Sequence, residues 1–167
     1  KKQTLIRVLL GLLLLAGGTH LYFRFRVAPA LLLPEIQMQT LNGESVTATQ
    51  GQATILIFFA TWCPDCRREL PVLSSLENRI TDLNIRIILV SDESVEKLQQ
   101  FSSTIPSRFE LVKLKGKFSD NDIHTLPTSY LFCQDGSVYL KKTGLLNYWN
   151  NSRKIVLKSK TAKVKSW

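Results

Sequence analysis

The sequence predicts an α/β fold: a central mixed β-sheet flanked by helices, with an N-terminal β-hairpin and a single N-terminal transmembrane helix. Three observations carry this. Residues 54–60 are a short apolar run with branched and aromatic side chains, as a strand buried on both faces requires, and residues 85–90 read as a second buried strand. Apolar residues at helical spacing follow each run. Two tight-turn dipeptides, Asn42-Gly43 and Asp135-Gly136, mark antiparallel hairpins near the two ends of the domain. At 167 residues the chain suffices for one domain with a sizeable core plus appendages.

The elements follow in order. Residues 4–23 are nearly all apolar, with Arg7 and His20 near the two ends. Twenty residues at ~1.5 Å each span the ~30 Å hydrocarbon core, so the segment can cross a bilayer once. An uncleaved signal-anchor is the expectation; a cleaved signal peptide and a buried core helix compete with it. Lys1, Lys2 and Arg7 favour an N-terminus inside and a domain outside the cytoplasm, although Arg24 and Arg26 on the far flank oppose that bias. The expected boundaries are 1–27 for the anchor, 28–34 for a linker, 35–160 for the folded domain and 161–167 for a basic tail.

Within the domain, residues 36–39 alternate apolar and polar, and residues 45–48 return across Asn42-Gly43 as the second strand of a hairpin. The strand 54–60 delivers Trp62-Cys63 at its C-terminal end. Leu70, Leu73, Leu76, Ile80 and Leu83 then recur at helical spacing, with Pro64 suited to the first turn and Pro71 inside, where it should kink the helix. After the strand 85–90, Asp92 and Glu93 open an amphipathic helix running to about Phe101. A shorter strand at 110–114 precedes a hairpin of residues 128–133 and 137–142, and a basic helix follows from about Asn147.

Composition narrows the function. The formal charge of +9 sits at the ends. Of 22 bases, five lie within residues 1–27 and six from Arg153 onward, leaving 11 against all 13 acids in between. That body lacks the basic groove with interleaved aromatics that a nucleic-acid site needs, so no nucleic-acid partner is expected. The basic C-terminal end is expected to be solvated, with contact to anionic lipid as the alternative. Three cysteines are too few for a disulfide framework, whereas a C-x-x-C pair points to redox or metal chemistry.

That pair is Cys63 and Cys66, at a helix start. The helix N-terminus places partial positive charge and free N–H groups near the first sulfur, so Cys63 is expected to be the solvent-facing nucleophile with a lowered thiol pKa. Cys66, one turn in and more buried, is expected to resolve the mixed disulfide. Zinc is the other chemistry open to C-x-x-C, but only Cys133 and His124 could complete a tetrahedral set, without metal-like spacing. No metal and no cofactor beyond the dithiol itself is expected. Cys133 is expected to be a buried inert thiol.

The segment Ala60-Thr61-Trp62-Cys63-Pro64-Asp65-Cys66-Arg67-Arg68-Glu69-Leu70-Pro71 resembles the active-site segment of membrane-anchored TlpA-like thioredoxins, the group of ResA, CcmG/DsbE and ScsD-type proteins. Pro34-Glu35-Ile36, Leu41-Asn42-Gly43-Glu44 and Leu126-Pro127-Thr128 extend the resemblance over residues 34–144. It implies a thioredoxin-like fold and a thiol-disulfide oxidoreductase. It also implies Pro127 as a cis-proline beside the dithiol, with Trp62, Pro64, Leu126 and Thr128 facing an extended substrate segment. Glu69 matches the acidic residue of the family's C-x-x-C-x-x-E-x-P pattern; it is either a carboxylate that shuttles the Cys66 proton or a solvated first-turn glutamate.

Departures from the family pattern bear on the redox couple. Ile57 stands where the family places a buried aspartate or asparagine, and Phe59 replaces the usual tryptophan. Asp65 between the cysteines should oppose a thiolate by ~1.4 kcal/mol at ~6 Å and an effective dielectric of ~40, which is about one pK unit. Arg67 and Arg68 act in the other direction. The resemblance implies protein thiol/disulfide substrates, a DsbD-type membrane electron donor, and a single-pass protein of the bacterial inner membrane whose domain faces the periplasm. A reductase is expected; an oxidase of the same fold and a non-catalytic metal-delivery or chaperone module are the alternatives.

Overall fold

The computed structural model describes residues 1–26, 35–46, 52–75 and 85–145. Helix α1 (Lys2–Arg26) is apolar on all sides, and the Leu, Ile, Val and Phe side chains of residues 5–23 are exposed rather than packed in a core. Its span Lys2–Arg24 is long and apolar enough to cross a membrane, and none of it is buried in the fold, which is what an anchor requires and what a buried core helix would contradict.

The sheet has seven strands: β1 (Met38–Thr40), β2 (Ser45–Val46), β3 (Thr54–Phe58), β4 (Arg86–Ser91), β5 (Phe109–Leu114), β6 (Thr128–Phe132) and β7 (Val138–Thr143). Their order is β2-β1-β5-β4-β3-β6-β7. The central strands β3, β4 and β5 run parallel, and β1, β2, β6 and β7 add antiparallel pairs at the two sides, so the sheet is mixed as the sequence predicts. Both hairpins form at the expected dipeptides. Gly43 (φ 89°) and Gly136 (φ 81°) occupy the left-handed region there, which glycine enters without a Cβ clash.

Every residue of β3 is buried, and its side chains divide by the strand period of two. Ile55, Ile57 and Phe59 pack on one face with Leu70 and Leu73 of α2 (Pro64–Ser75) and Leu98 of α3 (Val95–Ser102). Leu56 and Phe58 pack on the other with Met38, Ile88, Val90 and Tyr130. The residues after β5 cover this second face: a turn of 3-10 helix (Phe118–Asn121) sets Phe118 edge-on against Phe58 at 6.1 Å. Leu89, fully buried in central β4, illustrates the cost of disturbing these layers. Leu89→Ala is expected to lower the unfolding free energy by about 3 kcal/mol, read from urea denaturation; a loss under about 1 kcal/mol would contradict the assigned packing.

Two sequence expectations are corrected here. Helix α3 begins at Val95 after Ser94, so Asp92 and Glu93 precede it and are committed elsewhere. Cys133 is half-buried rather than buried: it lies past the end of β6 in the 133–136 turn, where its N–H donates to the Ser137 carbonyl at 2.8 Å. Helix α2 runs through Pro71 to Ser75. Leu76, Ile80 and Leu83, the linker 28–34, the basic helix from Asn147 and the tail 161–167 lie outside the described residues.

Candidate active site

The site forms where β3 ends. Phe59 is still tied to the sheet, its N–H donating to the Val90 carbonyl at 2.9 Å. The chain then reverses in a turn closed by the Cys63 N–H on the Ala60 carbonyl at 3.1 Å, and α2 starts at Pro64, whose missing N–H is no loss in a first helical turn. In the sheet register Phe58 lies opposite Thr128, so the first residue of β6 stands beside the strand that feeds the dithiol.

Both cysteines are free thiols, and both are buried: Cys63 is 5% exposed and Cys66 is 2% exposed. The expectation that Cys63 faces solvent is therefore corrected. The turn directs its side chain into the core cluster beneath α2 and leaves Trp62, at 66% exposure, as the outward group. Cys63 Sγ accepts the Cys66 N–H at 3.3 Å, an interaction the free amides of a helix start make available.

The Cys66 thiol is pushed well above the ordinary thiol range. Burial is the main cause, followed by its hydrogen bond with Cys63; an amide interaction with Ala60 pulls the other way, and the charges of Cys63 and Glu69 add to the rise. Glu69 itself is 2% exposed, which rules out the solvated first-turn glutamate. Its carboxyl group sits on the buried side of α2 together with Cys66.

The residues between the thiols and Glu69 are engaged in pairs. Asp65 is bound by Arg68, so the repulsion expected from Asp65 on a thiolate is offset by a cation one turn along. Arg67 turns back and donates from Nε to the Thr61 carbonyl at 2.8 Å. It also stands at one end of a cleft of about 490 Å³ between α2 and the end of α3, lined by Leu70, Pro71, Phe101 and Pro106.

The Leu126-Pro127 bond is cis, and the Pro127 carbonyl accepts the Gly144 N–H at 2.7 Å. Leu126 packs against the same cluster as the two cysteines. Thr128 is buried, and its hydroxyl donates to the Thr125 carbonyl at 2.6 Å, so its side chain supports the loop. Trp62 and Pro64 are exposed at the rim. Cys133 and His124 do not join the dithiol: Cys133 is at the opposite end of β6 from Thr128, about 17 Å away at the usual rise per residue. Among the described residues no three His, Cys, Asp or Glu side chains cluster as metal ligands.

Residues 27–141, which hold this site and nearly all of the sheet, match the AhpC/TSA family. The chain belongs to the AhpC/TSA family. The chain is similar to the sporulation thiol-disulfide oxidoreductase A of Bacillus subtilis (strain 168), 29% identical over 155 residues, covering 84% of this chain and 88% of the relative. Thiol-disulfide oxidoreductase ResA of Bacillus cereus (strain ZK / E33L) is 28% identical over 156 residues, covering 86% and 90%. Among solved structures, StoA from Bacillus subtilis superposes with a TM-score of 0.57 at 25% identity, over 74% of this chain and 98% of that one. This AhpC/TSA-family chain is a thiol-disulfide oxidoreductase, and Cys63 and Cys66 are its redox-active pair. The resemblance to TlpA-like thioredoxins drawn from the active-site segment holds along the fold.

One feature of the site escaped the sequence reading. Glu93, expected to open a helix, accepts hydrogen bonds from Thr61 at the threshold of the dithiol. Only its adjacency to the end of a predicted central strand, where sites of parallel sheets gather, could have signalled this.

Proposed function

We propose that this oxidoreductase is a membrane-tethered, extracytoplasmic reductase of protein disulfides, with Cys63 as nucleophile, Cys66 as resolving thiol and Glu69 as the base for Cys66. The Cys63 thiolate attacks one sulfur of a substrate disulfide; that S–S bond breaks and the first substrate thiolate leaves. Cys66 gives its proton to Glu69 and attacks Cys63 Sγ, releasing the second substrate thiolate and closing Cys63–Cys66. Two electrons pass from the dithiol to the substrate. Trp62, Pro64 and the backbone at Leu126 form the face presented to the substrate, and cis-Pro127 sits there without a side-chain nucleophile or metal ligand. The domain, residues 35–160, is joined by residues 28–34 to the α1 anchor, and a membrane relay of the DsbD type restores the dithiol.

The single observation that carries this reading is the buried Glu69 beside a Cys66 thiol raised by burial. A thiol held above the ordinary range supplies little thiolate near neutral pH without a base. It also leaves the reduced form without a stabilised charge at Cys66, the feature that makes some dithiols strong oxidants. Equilibration of the full chain in detergent with glutathione buffers is expected to give a potential below about −220 mV. A value near about −120 mV would overturn the reductase reading and favour an oxidase.

The raised Cys66 thiol also sets the pH dependence. Reduction takes up one proton for every thiol protonated at the working pH, and each contributes about 30 mV per pH unit to a two-electron couple. A thiol with a raised pKa keeps its proton as pH climbs, so the potential should go on becoming more negative by about 30 mV per unit beyond the pH at which an ordinary thiol ionises. A potential that levels off near pH 9 would mean that Cys66 ionises like an ordinary thiol.

A further inference from the structure

The turn that carries Trp62 into Cys63 is gripped from outside by a residue with no part in the electron transfer. Thr61 and Trp62 are the central residues of the turn closed between Ala60 and Cys63. The amide of the first central residue has no partner within such a turn, and Thr61 is buried, so an unmet N–H there would be costly. Glu93, just past the end of β4, meets it: Oε2 accepts the Thr61 N–H at 2.7 Å, and Oε1 accepts the Thr61 hydroxyl at 2.9 Å. With Arg67 Nε on the Thr61 carbonyl at 2.8 Å, all three polar groups of Thr61 are held.

The grip is itself braced. Lys97 Nζ lies 2.7 Å from Glu93 Oε1, the Ser91 hydroxyl donates to Oε2 at 3.2 Å, and Lys113 Nζ donates to the Glu93 carbonyl at 2.8 Å. Burial acts against the Glu93 charge, but the hydrogen bonds from Lys97 and from both Thr61 donors outweigh it and hold the carboxyl below the usual carboxylate range. The group is therefore anionic at neutral pH. A carboxylate offers two acceptors and no donor, which is what the paired N–H and O–H of Thr61 demand.

We propose that Glu93 is a positioning residue of the redox site: by holding Thr61 it fixes the 60–63 turn, and with it the direction from which Cys63 Sγ meets a substrate disulfide. The proposal rests on the reading of Cys63 as the nucleophile. Thiolate attack requires near-linear alignment with the bond being broken, and small displacements of a reacting atom cost rate steeply. A glutamine at 93 keeps an oxygen for the Thr61 N–H, but its NH2 at the other position forces the Thr61 hydroxyl to turn and accept, and it faces Lys97 with no acceptor, loosening the grip without emptying the space.

The test uses the full chain in detergent, reduced, with Cys133→Ser to remove the third thiol. The probe is a bis(nitrobenzoate) disulfide in substoichiometric amount, which releases one coloured thiolate when Cys63 attacks and a second when Cys66 resolves. Glu93→Gln is expected to slow the first release about tenfold and leave the second unchanged. Thr61→Val, which replaces the hydroxyl with a methyl group and keeps the N–H, should slow the first release by a smaller factor, and the double variant should be no slower than Glu93→Gln alone. Thr61→Ser, which keeps all three polar groups, should restore the wild-type rate.

An unchanged first release in both Glu93→Gln and Thr61→Val overturns the proposal. So does equal slowing of both releases, which signals a generally loosened domain, or multiplicative effects in the double variant. Cys63→Ser separates this from the reading beneath it. If that variant still gives the first release, Cys63 is not the nucleophile; if it is silent while Glu93→Gln matches wild type, only the role of Glu93 fails.

Discussion

Cys66→Ser is expected to halt the reaction halfway, leaving the chain joined to its substrate by a stable disulfide at Cys63 in one-to-one amount. Cys66 is the only thiol placed to break that bond, since its amide already contacts Cys63 Sγ at 3.3 Å and Cys133 lies at the other end of β6. Cys63→Ser should instead reduce disulfide exchange by at least about a thousandfold, because a serine hydroxyl is not ionised at neutral pH and a Cys66 thiol raised by burial does not replace it. Both variants preserve volume to within the difference between sulfur and oxygen, so the sheet and α2 should be retained. Intact-mass measurement under non-reducing conditions reads the result directly. A mixed disulfide carried by Cys66 in the Cys63→Ser variant would reverse the assignment.

Glu69→Gln should slow resolution about a hundredfold while leaving the first attack at the wild-type rate. The sign is diagnostic because two effects of the carboxylate oppose each other. As a charge, Glu69 raises the Cys66 pKa and so holds back its thiolate; taken alone, removing that charge would accelerate resolution. As a base, Glu69 accepts the Cys66 proton, and removing it slows resolution. Glutamine keeps the size and polarity of the side chain, so the comparison isolates proton transfer. Single-turnover reduction of the probe disulfide, resolved into its two thiolate releases, measures each step. A faster second release would show that Glu69 acts on Cys66 only through its field.

Much of this site was legible in the chain because its signals are local. The run 54–60 that contains β3 is nearly all apolar because the strand is buried on both faces, and it ends two residues before Trp62. The spacing of Cys63 and Cys66 at a helix start follows from Pro64 and the helical rise alone. The two hairpins could be placed because Asn42-Gly43 and Asp135-Gly136 tolerate a left-handed backbone. The helix boundary at Val95 was misplaced for a physical reason: acidic residues favour a first helical turn, yet the same carboxylates were claimed by partners distant in sequence. Asp92 takes the Phe118 N–H at 3.2 Å, and Glu93 takes Thr61, 32 residues away.

What the sequence determined by itself, then, was the α/β class, the anchor-length apolar helix and the redox-active dithiol, since each depends on periodicity or spacing within a short stretch. Only the tertiary structure decided how those parts meet. Burial of Cys63 below an exposed Trp62, burial of Glu69 with Cys66 and the hold of Glu93 on Thr61 all depend on which surfaces the sheet order brings into contact. Accessibility and electrostatic environment are properties of neighbours in space, and the helix and strand periods that reveal local structure carry no record of neighbours 30 residues away.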